Sequence, residues 1–472
     1  MRIRWSASPG REKGLGSGAD YPHDPSMLTA SPPNLLVILT DQQTHDALSC
    51  AGNLDVQTPN LDRLAAQGTR FTRAFVPFPV CVPSRTSLQY GAYPHQVQFA
   101  DQEMVGRPLK GKLGEVRPEW KERELGHRLR KAGYRCGWAG KWHVGTWGAT
   151  ESLGHGTESG FDPVAPIDDA GLPSACEQFL GVRDDRPFCL VASFDNPHNI
   201  HEWQIDVPLP WGNLPEPPPV SQLPPLPLNH GVEFREPAAL RAYRSRRPVE
   251  ASEEVWRRYR WAYFQLVEKV DRQIGKVLDA LESSGKREET LVIMTSDHGE
   301  LAGAHSLPFK HALYEESVRV PLLIAGPDVP VGVREDLVCN MIDLHATLLA
   351  SAGIDPAGID GCDLRELARE EKEARDHVVV TTRFHNGCRA RLIRDTRWAY
   401  VIYEWGPITE QLFDCATDPG QRVDLATCAR FDDVKKRLKQ QLRAWMVAHD
   451  DTFIAGHYTH PDVEMILPGD DY

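Results

Sequence analysis

The sequence predicts an α/β fold: a sandwich with a mainly parallel central sheet, followed by a small C-terminal α+β subdomain built on an antiparallel sheet. Three observations carry that expectation. Short, continuously apolar runs recur through much of the chain. Runs without polar alternation suit strands covered on both faces, as parallel strands are. Helical stretches separate several of these runs, and strand–helix–strand repetition places helices against a mostly parallel sheet. After about residue 375 the rhythm changes to strands joined by short turns, then one helix. The expected organisation is a tail over 1–33, a main domain over 34–375 and a C-terminal subdomain over 376–472.

Taken in order, residues 1–33 are rich in Gly, Ser, Pro and Arg and lack an apolar core segment. They read as a flexible tail rather than a secretory signal, which points to a cytoplasmic location. Met27, just ahead of the first strand, offers an alternative start. Asn34–Thr40 (NLLVILT) is a buried strand. Thr58–Gly68 is a short helix, with Thr58 able to cap and Pro59 suited to the first turn. Tyr134–Ala139, Phe188–Phe194, Leu291–Ser296 and Val320–Ala325 are further strands. Val207–Leu228 holds nine prolines, so it is neither helix nor central strand. It is either a wrapped surface loop or an insertion beside a site. Ser252–Ser283 is the longest helix, because Tyr259, Tyr263, Leu266, Val270, Ile274, Val277 and Leu281 recur at steps of three and four. His377–Arg383, Arg389–Arg394 and Trp398–Tyr403 are the C-terminal strands. A last amphipathic helix carries Phe431, Val434, Leu438, Leu442 and Trp445.

Composition excludes several functions. The chain of 472 residues has 53 Lys and Arg against 66 Asp and Glu, a net charge of −13. That disfavours nucleic acid, anionic membranes and long polyanions held along the surface. Apolar runs such as Leu35–Leu39 fall far short of the ~18 residues a membrane span needs. Ten scattered cysteines without a C-x-x-C pair suggest neither a zinc ribbon nor a disulfide framework.

The segment Cys81-Val82-Pro83-Ser84-Arg85 carries the chemistry. Cys81 stands at a helix start, where free N–H groups and the positive dipole end favour an anion, and Arg85 projects from the same side. Alone, this reads better as a buried structural cysteine. It is not alone. The segment resembles the C-x-P-S-R signature of type I sulfatases. Thr58–Phe75, Gly140-Lys141-Trp142-His143, Asn196-Pro197-His198, Thr295–Glu300 (TSDHGE) and Lys310–Pro321 are similar to that family's other motifs, in family order. The resemblance implies an alkaline phosphatase-like α/β/α sandwich and a sulfuric ester hydrolase.

It also implies that a formylglycine-generating enzyme converts Cys81 to formylglycine. One hydroxyl of the hydrated aldehyde attacks sulfur, and the other lets sulfate leave by elimination. Arg85, Lys141 and Lys310 would then clamp the sulfate and the formylglycine, His143 would act as a base and His198 would protonate the leaving oxygen. Asp41, Gln42, Asp297 and His298 end strands, where open α/β sheets place their sites. With residue 81 they would hold a divalent metal, Ca²⁺ by family resemblance, with Mn²⁺ or Mg²⁺ left open by the imidazole. Many family members carry a second Asp where Gln42 stands, so a weaker hold on the metal is expected. His95, His201, Arg383, His385 and Arg389 are candidate substrate contacts, with a structural His or a solvated turn as the alternative. Gln89-Tyr90-Gly91 departs from the family's Leu-Thr-Gly. The expected substrate is a small sulfated molecule, a sugar above all. A phosphonate monoester or phosphodiester hydrolase, and a silent anion binder with an unmodified Cys81, are the alternatives.

Overall fold

Asn34–Asp41 forms β1, near the centre of an eight-stranded sheet. The computed structural model describes residues 32–97, 118–144, 159–231, 235–245 and 252–453; residues 1–31 of the expected tail lie outside them. The other strands of this sheet are β2 (Thr69–Phe75), β3 (Arg135–Gly140), β4 (Asp162–Ala165), β5 (Phe188–Pro197), β6 (Thr290–Ser296), β7 (Arg319–Ala325) and β8 (Gly332–Cys339). Their order is β4-β3-β5-β1-β6-β7-β2-β8. Every neighbouring pair is parallel except the two that β7 makes, with β6 and β2. The sheet is therefore mainly parallel, as expected.

Both faces are covered. Leu36 and Ile38 of β1 pack with Val270, Ile274, Val277 and Leu281 of the helix Glu253–Ser283. Leu35, Val37 and Leu39 face the opposite way into a larger apolar cluster. That cluster continues into the C-terminal sheet, an antiparallel meander of β9 (Val378–Arg383), β10 (Arg389–Arg394), β11 (Trp398–Tyr403) and β12 (Glu410–Asp414). Leu438, Leu442 and Trp445 of the last helix, Asp432–Ala448, close it. The two sheets thus share one core, and the described residues from Pro33 onward form one compact unit.

The Glu315 carboxylate ties the sheets together. It accepts from Arg394 of β10 at 2.7 Å and from Arg319 of β7 at 3.2 Å. Burial opposes its ionisation, but the two guanidiniums outweigh burial and hold the carboxyl down at about 2. A depressed carboxylate contributes stability above its unfolded value and loses it as pH falls toward the folded one. The ionised group contributes about 3 kcal/mol by that linkage. Glu315→Gln should therefore lower stability at neutral pH and flatten its loss between about pH 4.5 and pH 2. Denaturant melts across that range check it, and an unchanged acid limb would refute it.

The helix Pro59–Ala66 begins as its sequence suggests, with Pro at the first position, but Thr58 supplies no side-chain cap. Asp271, from the long helix, takes the free amides instead: Leu61 N donates to Oδ1 at 2.9 Å and Asn60 N to Oδ2 at 3.2 Å. Asp271→Ala should cost about 2 kcal/mol, since buried donors lose their acceptor. Thermal melts test that figure. The Pro-rich stretch wraps the long helix. Arg257 donates to the carbonyls of Leu223 and Pro224, and Leu209, Leu214 and Leu226 pack on the apolar cluster of Trp256, Tyr259 and Tyr263. Among the described residues no helix is long and apolar enough to cross a membrane.

Candidate active site

β3, β5, β1 and β6 are adjacent and parallel, so the residues leaving their C-terminal ends converge. Asp41 is the last residue of β1, Lys141 follows β3, Asp195 lies near the end of β5, and Asp297 and His298 follow β6. After Asp41 the chain bends sharply: Gln42 has φ 70°. Tyr263 of the long helix pins this bend, donating to the Gln42 carbonyl and accepting from Thr44 N, both at 2.9 Å.

Cys81 opens the helix Cys81–Tyr90, and the preceding Val80 is extended and cannot cap it with its side chain. The thiol therefore sits at an uncapped helix start among polar groups. Its Sγ lies 3.2 Å from Lys310 Nζ, 3.2 Å from His298 Nε2 and 3.6 Å from Asp41 Oδ1. His143 also hydrogen-bonds the Cys81 side chain. Burial raises the thiol's pKa, but Lys310, Lys141 and His298 outweigh it and hold it well below the ordinary cysteine range.

One turn on, Arg85 is fully buried. Its guanidinium donates to Asp297 Oδ2 at 2.6 Å, to Asp41 Oδ2 at 3.3 Å, and to Ser193 Oγ and the Lys141 carbonyl, each at 2.8 Å. Lys141 Nζ bridges Asp41 at 2.9 Å and Asp195 at 2.8 Å. Lys310 Nζ meets Gln42 Oε1 at 3.0 Å and His298 Nε2 at 3.1 Å.

The donor set fits a divalent cation. One ligand atom each from Asp41, Cys81, Asp297 and His298 lie within 4.8 Å of one another, all buried. The His298 Nδ1 faces the Gly299 carbonyl at 3.0 Å; donation there leaves the Nε2 lone pair turned to the cluster. The two carboxylates crowd each other. Burial and Asp41 push Asp297 upward, while Lys141 and the nearby histidines overcome burial to hold Asp41 down. A cation between them would relieve that repulsion.

Comparison with known proteins gives this geometry a family. The family model described as "Sulfatase" matches residues 33–354. The chain belongs to the sulfatase family. A second model, "N-sulphoglucosamine sulphohydrolase, C-terminal", matches residues 303–448. The Δ4,5-hexuronate-2-O-sulfatase of Bacteroides thetaiotaomicron is 30% identical over 439 residues, covering 85% of this chain and 86% of that protein. The structure of a 2-O GAG sulfatase superposes with a TM-score of 0.79 at 26% identity, over 93% of this chain and 97% of the other. A phosphonate monoester hydrolase of Agrobacterium radiobacter shares the fold, with a TM-score of 0.70 at 22% identity over 88% and 96%. This sulfatase is a sulfuric ester hydrolase.

The remaining candidates fall in different places. His198, after β5, stacks on His201 at 4.6 Å, and His201 stacks on Phe309 at 3.7 Å and meets Gln42 Oε1 at 3.2 Å. His385, in the β9–β10 turn, packs 4.5 Å from the ring of His311, the residue after Lys310. Arg383 ends β9 opposite Arg389. Arg389 pairs with Glu404 at 3.0 Å. His95 packs against Tyr93 and Trp445, with its Nε2 on the His449 carbonyl at 3.0 Å; burial holds its pKa down at about 4. That is a packing position under the C-terminal helix, not one among the contacts of Cys81. Sequence reasoning gave no role to Asp195, Ser193 or Glu300. Glu300 sat inside the TSDHGE motif and could have been singled out by its place there.

Proposed function

We propose that this sulfatase removes a sulfate group from a terminal or short sulfated carbohydrate. The observation that carries the reading is the convergence of Lys141, Lys310, His143 and His198 on the Cys81 side chain and its acidic neighbours, in a chain similar to a hexuronate-2-O-sulfatase. A chain of net charge −13 disfavours a long sulfated polymer lying along the surface.

Asp41, Cys81, Asp297 and His298 would hold the cation, proposed as Ca²⁺, which would supply Lewis-acid charge to a sulfate oxygen. Formylglycine at residue 81, made by a formylglycine-generating enzyme, would supply the nucleophilic hydroxyl. The rest falls to the chain's own groups. Lys141 and Lys310, both largely buried, offset the sulfate charge where such charges act strongly. Arg85, its donors turned to Asp41, Asp297, Ser193 and the Lys141 carbonyl, orients the carboxylates. His143, hydrogen-bonded to residue 81, takes a proton from that side chain. Burial lowers its pKa, which favours the neutral form a base needs. His198 delivers a proton to the leaving sugar oxygen.

Turnover of 2-O-sulfated uronate disaccharides, aryl sulfates and a phenyl phosphonate by the metal-loaded enzyme tests the reading. The expected result is a kcat/KM at least about a hundredfold higher for sulfate esters, since discrimination follows differential transition-state binding. A preference for the phosphonate would overturn it.

A further inference from the structure

We propose that Glu300 is a positioning residue which, through Gln42, aims the Lys310 ammonium at the side chain of residue 81; this rests on the sulfatase reading above. Glu300 is fully buried. Its Oε1 accepts from Tyr259 OH at 3.0 Å, Ala302 N at 2.9 Å and Phe309 N at 2.7 Å. Its Oε2 accepts from Gln42 Nε2 at 2.6 Å. The carboxylate is thus fixed from three sides and has one oxygen left for Gln42.

Chemistry at both ends of Gln42 sets which way its amide faces. An ionised carboxylate only accepts, so the NH₂ group must turn to Glu300. An ammonium only donates, so the carbonyl must turn to Lys310, which it meets at 3.0 Å. His201 Nε2 lies 3.2 Å from the same carbonyl oxygen. That oxygen has two lone pairs, enough for Lys310 and one further partner.

Glu300 acts on Lys310 twice. It fixes the acceptor that receives the ammonium, and through Phe309 N it fixes the backbone one residue before Lys310. It also accounts for the amide at position 42. A carboxylate there would face the Glu300 carboxylate at the 2.6 Å separation now held by a hydrogen bond.

A reciprocal exchange tests this. Glu300→Gln sets NH₂ against NH₂ and forces the Gln42 amide to flip its donors toward Lys310. Gln42→Glu sets carboxylate against carboxylate. Each should lower kcat/KM for a sulfate ester by roughly ten- to a hundredfold, the usual effect of misplacing a buried polar partner. The double variant restores the pattern: the amide now at position 300 donates to one oxygen of the carboxylate now at position 42, and the other oxygen accepts from Lys310. It should recover to within about fivefold of the parent. Calorimetry with Ca²⁺ alone should give Glu300→Gln an affinity within about threefold of the parent, because the four ligands are untouched. Folded single variants with no recovery in the double, wild-type kcat/KM in Glu300→Gln, or loss of Ca²⁺ binding there would each overturn the proposal. Melting temperatures of the four proteins read the same pairing without substrate. If the parent turns over no sulfate ester, the functional reading fails; the pairing stands or falls on whether the double variant regains the stability lost in the singles.

Discussion

Cys81→Ala leaves a folded protein without turnover. The fold survives because residue 81 is the first position of a helix, and alanine is the best helix former. The lost sulfur costs about 1 kcal/mol as a small buried cavity. Neither partner beside it is stranded: Lys310 keeps Gln42 Oε1, and His298 keeps the Gly299 carbonyl. Turnover does not survive, because no other nucleophilic side chain stands between Lys310, His298 and Asp41 among the described residues. Loss of a covalent nucleophile costs at least about 10⁴-fold in kcat. The measurement is kcat on a sulfate ester beside a thermal melt. Activity within tenfold of the parent would remove Cys81 from the mechanism. The mass of the Cys81 peptide from the parent protein, isolated from its own host, reports conversion to formylglycine, and an unmodified thiol in an active enzyme would do the same.

What the sequence exposed and what it hid divide along a physical line. Asp41, Asp297 and His298 were readable because each ends or follows an apolar strand, and parallel strands bring such ends together; Lys141 was readable through its resemblance to a family motif. The strands that escaped notice, β2, β4, β8 and β12, carry charges or proline. β4 and β8 are the sheet edges, where polar residues blunt unpaired backbone. Supporting groups were hidden for another reason. Asp195 follows the expected strand Phe188–Phe194, yet its importance appears only when Lys141, from the neighbouring strand's end, reaches it. Asp271 reads as one charge among many on a helix, yet it caps a helix some 210 residues away. His95 errs the other way. Its match to a family position suggests a cleft, with a structural His as the alternative, and burial there is decided by Trp445 and His449 at the end of the last helix. Local pattern reports which side chains leave strand ends; it does not report which distant backbone covers them.

Removing the metal, or its ligands one at a time, should separate two jobs that the acidic cluster performs. Dialysis against a chelator should abolish turnover, and Ca²⁺ should restore it; Mn²⁺ and Mg²⁺ run in parallel test the assignment of the ion. The metal-loaded protein should melt higher, since a ligand at a hundred times its Kd adds about 2.7 kcal/mol. His298→Ala should lose metal affinity at modest cost in metal-free stability, because His298 chiefly faces the cation site. Asp297→Asn should lose both. Its carboxylate is the 2.6 Å partner of Arg85, and both groups are fully buried. Taking its charge away leaves the guanidinium with Asp41, at 3.3 Å, as its only carboxylate among the described residues; that loss, set against relief of the crowding between the two carboxylates, costs about 1–3 kcal/mol. The decisive comparison is made in chelator. If Asp297→Asn melts no lower than His298→Ala there, the carboxylate serves only the metal. If it melts well below, Asp297 also holds the Arg85 end of the signature helix. Metal binding and helix placement would then be one interaction, and the nucleophile at the start of that helix would be positioned by the same carboxylate that binds the ion.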